Sequence, residues 1–432
     1  MAGKAATDTI VALSSGKLPA AIAIVRSSGA DAIAALVGLA GSVPAERQAA
    51  LRTLRDPQDG TEIDRALILV FHGPNSSTGE DVVEYHCHGS PAIAAKLLDV
   101  LCSRDGTRIA EPGEFTRRAL FNGRIDLTEA EGLADLLEAE TEVQRRAALK
   151  NAEGGLRRIV EGWRDRLILL SARAEAAIDY VDDEDETHAD AAALSNEAAM
   201  LTEEVEALLK SPRAEPLKDG IRVVLAGPPN VGKSSLFNAL LNTQRAIVTS
   251  IAGTTRDSIE APVAIRGIPF VLVDTAGIHE SEEVVEQIGI ARARSEILRA
   301  DVLLWLGPLN ETPASVDKLI PIQPKSDLCK HAGDSGSLAV SSVTGEGVVE
   351  LLQVLAELGQ AFVPRDDQVA VNRRQSDALN AMVDSLSLRE ANDIVLTAQA
   401  LRMASEALDR LSGRAGIEDM LDALFGRFCL GK

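Results

Sequence analysis

The stretch Gly227-Pro-Pro-Asn-Val-Gly-Lys-Ser234 fits G-x-x-x-x-G-K-[ST], a spacing built for phosphate. Its glycines let backbone N–H groups crowd round phosphate oxygens, and a helix starting at the lysine adds a favourable dipole. In such a loop Lys233 reaches the β- and γ-phosphates and the Ser234 hydroxyl ligates Mg²⁺. Asn230, Val231, Gly232 and Ser235 complete the phosphate wrap. Chance explains a glycine-rich turn poorly here, because further motifs follow in the right order. Asp274-Thr-Ala-Gly277 ends the apolar run Phe270-Val-Leu-Val273. An aspartate at a strand end can hold the Mg²⁺ shell, and after Thr275 and Ala276 the Gly277 N–H can sense a γ-phosphate. Gly253-Thr-Thr-Arg-Asp257 lies between the two motifs, with Thr255 where a switch threonine completes Mg²⁺ coordination in GTPases.

Base choice in such enzymes comes from a later N-K-x-D. The best match is Pro324-Lys-Ser-Asp327. Asp327 can accept from guanine N1 and N2, and Lys325 can lie across the ring. Proline replaces the asparagine and brings no side-chain amide to the base edge. Ser341 and Ser342, after the run Leu338-Ala-Val340, stand where an S-A-K-type loop closes over guanine. Water activation is less defined. No glutamine follows Gly277, where a Ras-type enzyme orients water. His279 either approaches the γ-phosphate or is an exposed loop histidine, and on periodicity alone Glu286 is a polar-face residue of a helix.

The elements that must position these residues are legible. Ile221 to Ala226 is an apolar run suited to a buried parallel strand, and Ser235 to Leu241 starts a helix. Upstream, Ala21–Arg26, Ala66–Phe71 and Val82–Cys87 predict strands, while Ser28–Leu39 and Ser90–Cys102 predict helices. Leu127 to Lys210 is helical almost throughout. Leu133, Leu136 and Leu137 begin one apolar face, and Leu156, Ile159, Val160, Trp163, Leu167 and Leu170 continue at helical spacing. The acidic run Asp182-Asp-Glu-Asp-Glu186 predicts a solvated loop rather than a metal site. Ser211 to Pro216 predicts a linker. Gln375–Leu388 and Ile394–Leu411 are amphipathic helices.

The expected architecture is therefore multidomain. An α+β N-terminal domain (1–123) precedes an all-α helical domain (124–215 and 364–432), into which an α/β P-loop GTPase domain (216–363) is inserted. The length of 432 residues accommodates this, and with 3% aromatics the cores must be aliphatic. A net charge of −21 argues against a broad autonomous grip on nucleic acid, though not against a local basic patch or a basic partner. No apolar run spans a membrane, and the N-terminus lacks a signal core. The four cysteines (Cys87, Cys102, Cys329 and Cys429) form no C-x-x-C pair, so a reduced cytoplasmic setting is expected.

Taken together, G-x-P-N-V-G-K-S-S, I-A-G-T-T-R-D, D-T-A-G-I and V-E-x-I-G-I resemble the MnmE/TrmE tRNA modification GTPases. The blocks Asn75–Glu84, with His86-Cys-His-Gly89, and Pro112–Leu127 are similar to that family's N-terminal blocks. The terminal Cys429-Leu-Gly-Lys432 is similar to its C-x-G-K ending. The resemblance runs over nearly the whole chain in conserved order of motifs. It implies K⁺-activated hydrolysis, with Asn230, Thr249, Ile251 and Thr254 as K⁺ ligands beside a nucleotide loop that includes Ser250, Ala252 and Gly253. It implies that Glu286 positions water. It implies a homodimer and formyl-tetrahydrofolate held by Arg26, Glu84, Arg124 and Lys432, with Cys429 near the modification centre. It further implies a heterotetramer with an FAD- and NADH-dependent partner (MnmG), acting on the wobble uridine of tRNA. The sequence departs from the family at Pro324 and at Gly16–Ala20, where a glycine-rich segment is expected. A regulatory GTPase without modification chemistry would share the phosphate loop and switches but not the folate-like residues. A pseudo-GTPase would not need Lys233, Ser234, Thr255, Asp274 and Glu286 all present.

Overall fold

A computed structural model describes residues 8–179, 184–243, 259–275, 294–313, 318–328, 336–365, 368–389, 393–415, 424–426, 428 and 431. The chain forms two compact units. The first comprises Met1–Ala134, Leu156–Glu161 and Leu408–Lys432, and the second Asp135–Gly155 and Gly162–Ala407.

The first unit is built on strands β1 (Thr9–Leu13), β2 (Ile22–Ser28), β3 (Ala50–Arg55), β4 (Glu62–Phe71), β5 (Val82–His88) and β6 (Thr107–Ile109), in the order β3-β4-β5-β2-β1-β6. Neighbours are antiparallel except β1 and β6. Alternate residues (Val25 on β2, Ile68 and Val70 on β4, Val83 and Tyr85 on β5) enter one core. Helices α1 (Ala32–Ala40) and α2 (Pro91–Cys102) cover that face with Leu36, Leu39, Leu97 and Leu101. Helices α3 (Glu114–Phe121) and α4 (Leu127–Glu138) follow. Leu127 and Ala134 of α4 pack with Phe425 and Phe428 near the C-terminus.

Gly113, at the N-cap of α3, makes this last contact possible. Its φ is +70°, and a Cβ there would stand 2.6 Å from the Phe425 carbonyl oxygen. Gly113→Ala is therefore expected to cost about 1–3 kcal/mol and to loosen the C-terminal segment. Faster amide exchange at Phe428, which donates to Phe425 O at 3.0 Å, would report it.

In the second unit, α5 (Glu142–Ala152), α6 (Gly155–Asp179, whose Leu156–Glu161 count with the first unit) and α7 (Glu184–Leu209) lead through the short α8 (Glu215–Lys218) into a sheet. Its strands are β7 (Ile221–Ala226), β8 (Ile259–Ile265), β9 (Ile268–Asp274), β10 (Val302–Trp305), β11 (Leu319–Pro324) and β12 (Leu338–Val340), in the order β12-β11-β10-β7-β9-β8. All neighbours are parallel except the β8–β9 hairpin. Helices α9 (Lys233–Thr243) and α10 (Val348–Gly359) bury Leu236, Phe237, Leu240, Leu351 and Leu355 against the sheet. Helices α11 (Arg373–Ser387) and α12 (Ile394–Ser412) follow. Trp163 Nε1 on α6 donates to Glu204 on α7 at 3.0 Å.

The expected elements are found with four adjustments. Ser28 ends β2, and α1 starts at Ala32. Glu184–Glu186 lie in helix α7 instead of in a loop. Leu137 is 42% exposed and does not join the buried face of α4. The linker Ser211–Pro216 is structured: Arg213 bridges Val371, and α8 begins at Glu215.

Candidate functional site

The phosphate loop is a backbone built for close approach. Gly227 has φ +149°, and a Cβ on it would stand 2.7 Å from the Leu306 carbonyl oxygen. Asn230 (φ 59°) and Gly232 (φ +115°) also take left-handed backbone, which turns successive N–H groups toward one concavity. Lys233 then starts α9. It is 6% exposed, and its Nζ donates to the carbonyls of Gly227 and Pro228, both at 2.9 Å. Burial lowers its pKa below the ordinary lysine value, and the charge of Asp274 partly offsets this.

Asp274 is 1% exposed at the end of β9, in register with Leu225, two residues before the loop. Thr275 Oγ1 donates to Leu225 O at 2.7 Å and fixes the strand end. A buried strand-end carboxylate and the Ser234 hydroxyl in the first turn of α9 are hard oxygen donors of the kind Mg²⁺ prefers.

The residues expected to face the base also meet. Lys325 Nζ donates to Asn230 O at 3.0 Å, and its Cε would lie 3.9 Å from a Cβ on Gly232, so its stem crosses the phosphate loop. Ser341 Oγ donates to Asp327 Oδ1 at 2.6 Å and accepts from the N–H groups of Val343 (3.3 Å) and Thr344 (3.1 Å). Ser341 is fully buried and acts as the brace for Asp327. Ser342 follows in the same turn. Pro324 is the last residue of β11, paired with Val340. Thr249, Ser250, Ile251, Ala252, Gly253, Thr254, Thr255, Ala276, Gly277, His279 and Glu286 lie outside the described residues.

The first unit carries a second constellation. Arg26 on β2 and Glu84 on β5 are register partners, and Arg26 Nε and Nη2 donate to Glu84 Oε1 at 3.0 and 2.7 Å. His86 Nε2 lies 3.2 Å from Glu84 Oε2. Burial pushes the Glu84 carboxyl up, but the Arg26 charge and the bonds from Arg26 and His86 prevail and hold it below the usual carboxylate range. The Arg26 guanidinium lies over the Phe115 ring at 5.7 Å. Arg124 is held separately, its Nε donating to Ser76 O at 3.1 Å. Ser14 Oγ donates to Gly431 O at 3.0 Å, and the Ser14 N–H donates to Ile24 O at 2.7 Å, so the C-terminal segment returns to the end of the β1–β2 pair, two residues along from Ala12, the register partner of Arg26. Cys429 and Lys432 lie outside the described residues. Burial pushes the Cys87 thiol up to about 12, which leaves it inert as a nucleophile.

Sequence reasoning missed the groups that hold these side chains. Ser341 as a brace, the Ser14–Gly431 contact, and Ser28, Thr78, Glu80 and Arg118 behind the Asn75–Glu84 block are examples. The last three fall inside the quoted motifs, and a count of charged residues in those blocks would have flagged Glu80 and Arg118.

A phosphate loop backed by a strand-end aspartate belongs to P-loop nucleotide hydrolases. Comparison with known proteins takes the assignment further. The family model for the MnmE helical domain matches residues 127–429, and that for the GTP-binding protein TrmE N-terminus matches residues 9–124. The chain therefore belongs to the MnmE/TrmE family of tRNA modification GTPases. The tRNA modification GTPase MnmE of Erythrobacter litoralis (strain HTCC2594) is 51% identical over 428 residues, spanning 98% of this chain and 100% of its own. The protein of that name from Novosphingobium aromaticivorans is 48% identical over 438 residues, spanning 99% and 100%. Among solved structures, the G domain of the T. maritima FeoB iron transporter is 29% identical, covering 32% of this chain and 99% of that one, with a TM-score of 0.26.

Proposed function

We propose that the chain is a K⁺-activated GTPase that works as a homodimer with an FAD-dependent MnmG-type partner. The pair forms aminomethyl or carboxymethylaminomethyl groups at carbon 5 of the tRNA wobble uridine, with formyl-tetrahydrofolate as one-carbon donor. The domains are 1–123 for folate binding and dimerisation, 124–215 and 364–432 for the helical domain, and 216–363 for the G domain. Hydrolysis is water attack on the γ-phosphoryl group, giving GDP and phosphate.

Lys233 and the loop N–H groups stabilise charge on the transferring phosphoryl, and Asp327 and Lys325 select guanine. Ser234, Thr255 and Asp274 would hold Mg²⁺, which supplies charge neutralisation when bound. Asn230, Thr249, Ile251 and Thr254 would hold K⁺, and Glu286 orients the water. GTP draws two G domains together, hydrolysis releases them, and the helical domain carries that motion to the modification site. Arg26, Glu84, Arg124 and Lys432 bind the folate, with Cys429 close by. An ionised Glu84 suits a paired N–H donor of a pterin.

The observation that carries this proposal is the seat of the C-terminal segment: Gly431 rests on Ser14, two residues along from Ala12, the register partner of Arg26, in a chain that also bears a complete phosphate loop. A nucleotide switch alone needs no such arrangement. The first test is GTP turnover in K⁺ and in Na⁺ at equal ionic strength. Asn230, with its exposed side chain on left-handed backbone, is the control position. Turnover is expected to be roughly ten- to a hundredfold faster in K⁺, and Asn230→Ala should erase that advantage. Equal slow rates in both salts would leave a regulatory GTPase as the better account, and absence of folate binding would remove the donor.

A further inference from the structure

Helix α5 meets both segments that connect the nucleotide-binding sheet to the helices of its unit, and Gln144 stands at the meeting point. Its Oε1 accepts from the N–H groups of Glu140 (2.9 Å) and Thr141 (2.8 Å), while Thr141 Oγ1 accepts from the Gln144 N–H (3.3 Å). This reciprocal capping box starts α5. The other end of the same amide, Nε2, donates to Leu217 O at 2.8 Å, in α8, four residues before β7. Two turns further along α5, Lys150 Nζ donates to Gln368 O at 2.9 Å and Asn151 Nδ2 donates to Ala370 O at 3.0 Å, on the segment that leaves the sheet. The two connecting segments also bind each other, with Ala214 N–H donating to Val371 O at 3.0 Å.

The capped end of α5 faces the sheet as well. Thr141 and Gln144 line a small cavity of about 60 Å³ with Pro262 and Val263 of β8 and Pro269 and Phe270 of β9. The β8–β9 hairpin joins the Gly253–Asp257 segment to Asp274–Gly277, the two stretches that respond to a γ-phosphate in a nucleotide switch. Strand β9 of that hairpin packs against α5 as well as against α8 and α9, so a shift of the hairpin bears on α5. A capped eleven-residue helix is stiff enough to pass the shift on to both connections.

We infer that Gln144 is a positioning residue that couples the nucleotide state of the β8–β9 hairpin, through α5, to both segments joining the G domain to the helices. The inference rests on the switch mechanism proposed above. Its test is amide exchange across residues 211–219 and 368–373 of the full-length protein, with GDP and with a non-hydrolysable GTP analogue, alongside GTP turnover.

In the unsubstituted protein both segments should exchange at rates that differ between nucleotides by on the order of fivefold or more. Gln144→Glu keeps the acceptors that cap α5 but loses the donor to Leu217. It should fold, keep turnover within about twofold, and lose the nucleotide difference at 211–219. Lys150→Met loses its bond to Gln368 and should weaken the difference at 368–373 while leaving 211–219 responsive, a split that general destabilisation does not produce. A nucleotide difference retained at 211–219 in Gln144→Glu overturns the inference. No nucleotide difference in the unsubstituted protein overturns the switch itself, and is told apart because it requires no variant.

Discussion

Lys233→Ala is expected to lower kcat/KM for GTP hydrolysis by about 10²–10³-fold. The basis is where the ammonium sits. Lys233 is almost fully buried, with Nζ on the Gly227 and Pro228 carbonyls at 2.9 Å, so it is held in the loop before any phosphate arrives. Burial lowers its pKa and Asp274 opposes that, so the cation is poorly solvated and ready to trade two carbonyls for phosphate oxygens. Charge moves onto the γ-phosphoryl oxygens and the leaving oxygen in the transition state, and a fixed cation there stabilises it without reorganisation. Alanine removes the charge and leaves the loop carbonyls facing an anion. Single-turnover hydrolysis and nucleotide binding, measured on a variant of unchanged helicity, would separate lost chemistry from lost affinity. Both parameters within threefold of the unsubstituted protein would remove Lys233 from the catalytic machinery.

The G domain was legible because its chemistry is local in sequence. Strand, loop and helix lie within 23 residues, from Ile221 to Thr243, and the left-handed turns that shape the loop fall between Gly227 and Gly232. The weakly patterned strands were not legible. β6 is three residues long, and β3, at the sheet edge, reads Ala-Leu-Arg-Thr-Leu-Arg with Leu51 55% exposed, so neither offers an apolar run. The acidic run that predicts a loop has Glu184–Glu186 in helix α7, because charge patterning alone does not distinguish a solvated loop from a helix. The Arg26–Glu84 pair became a site in sequence only through family resemblance, since the two residues are 58 positions apart and meet by strand register. The same holds for Ser14 and Gly431, 417 positions apart. Periodicity reports which face of an element is apolar, and is silent about which distant polar groups converge.

Arg118→Met is the substitution expected to damage stability most, by about 3–5 kcal/mol in the first unit. Arg118 is 5% exposed. Its Nη1 donates to Asp8 O at 2.9 Å and to both Glu80 carboxylate oxygens at 3.2 Å, and its Nη2 donates to Asp8 Oδ1 at 2.9 Å and Glu114 Oε1 at 3.1 Å. Glu114 is itself 3% exposed, and its other partner Arg108 cannot replace the bonds to Glu80. Methionine fills much of the volume but leaves the largely buried Glu80 without its cation and Asp8 and Glu114 with Arg108 alone, which costs more than the lost attraction.

The pH dependence follows from Glu114. Burial pushes its carboxyl up, yet the bonds from Arg108, the Glu111 N–H and Arg118 prevail and hold it below the usual range. A depressed carboxyl contributes stability above its unfolded pKa, about 4.3, and loses that contribution as pH falls through the folded value. Removing Arg118 raises the folded pKa, so the variant loses less on acidification. The gap between the two proteins should be full above about pH 5 and narrow below about pH 4. Exchange at the Ile10–Leu13 amides of β1, one strand from the cluster, reports the opening free energy of this unit at each pH. A gap that stays constant from neutral to acid pH would mean that Arg118 stabilises by packing, and that its three carboxylate partners gain nothing from its charge.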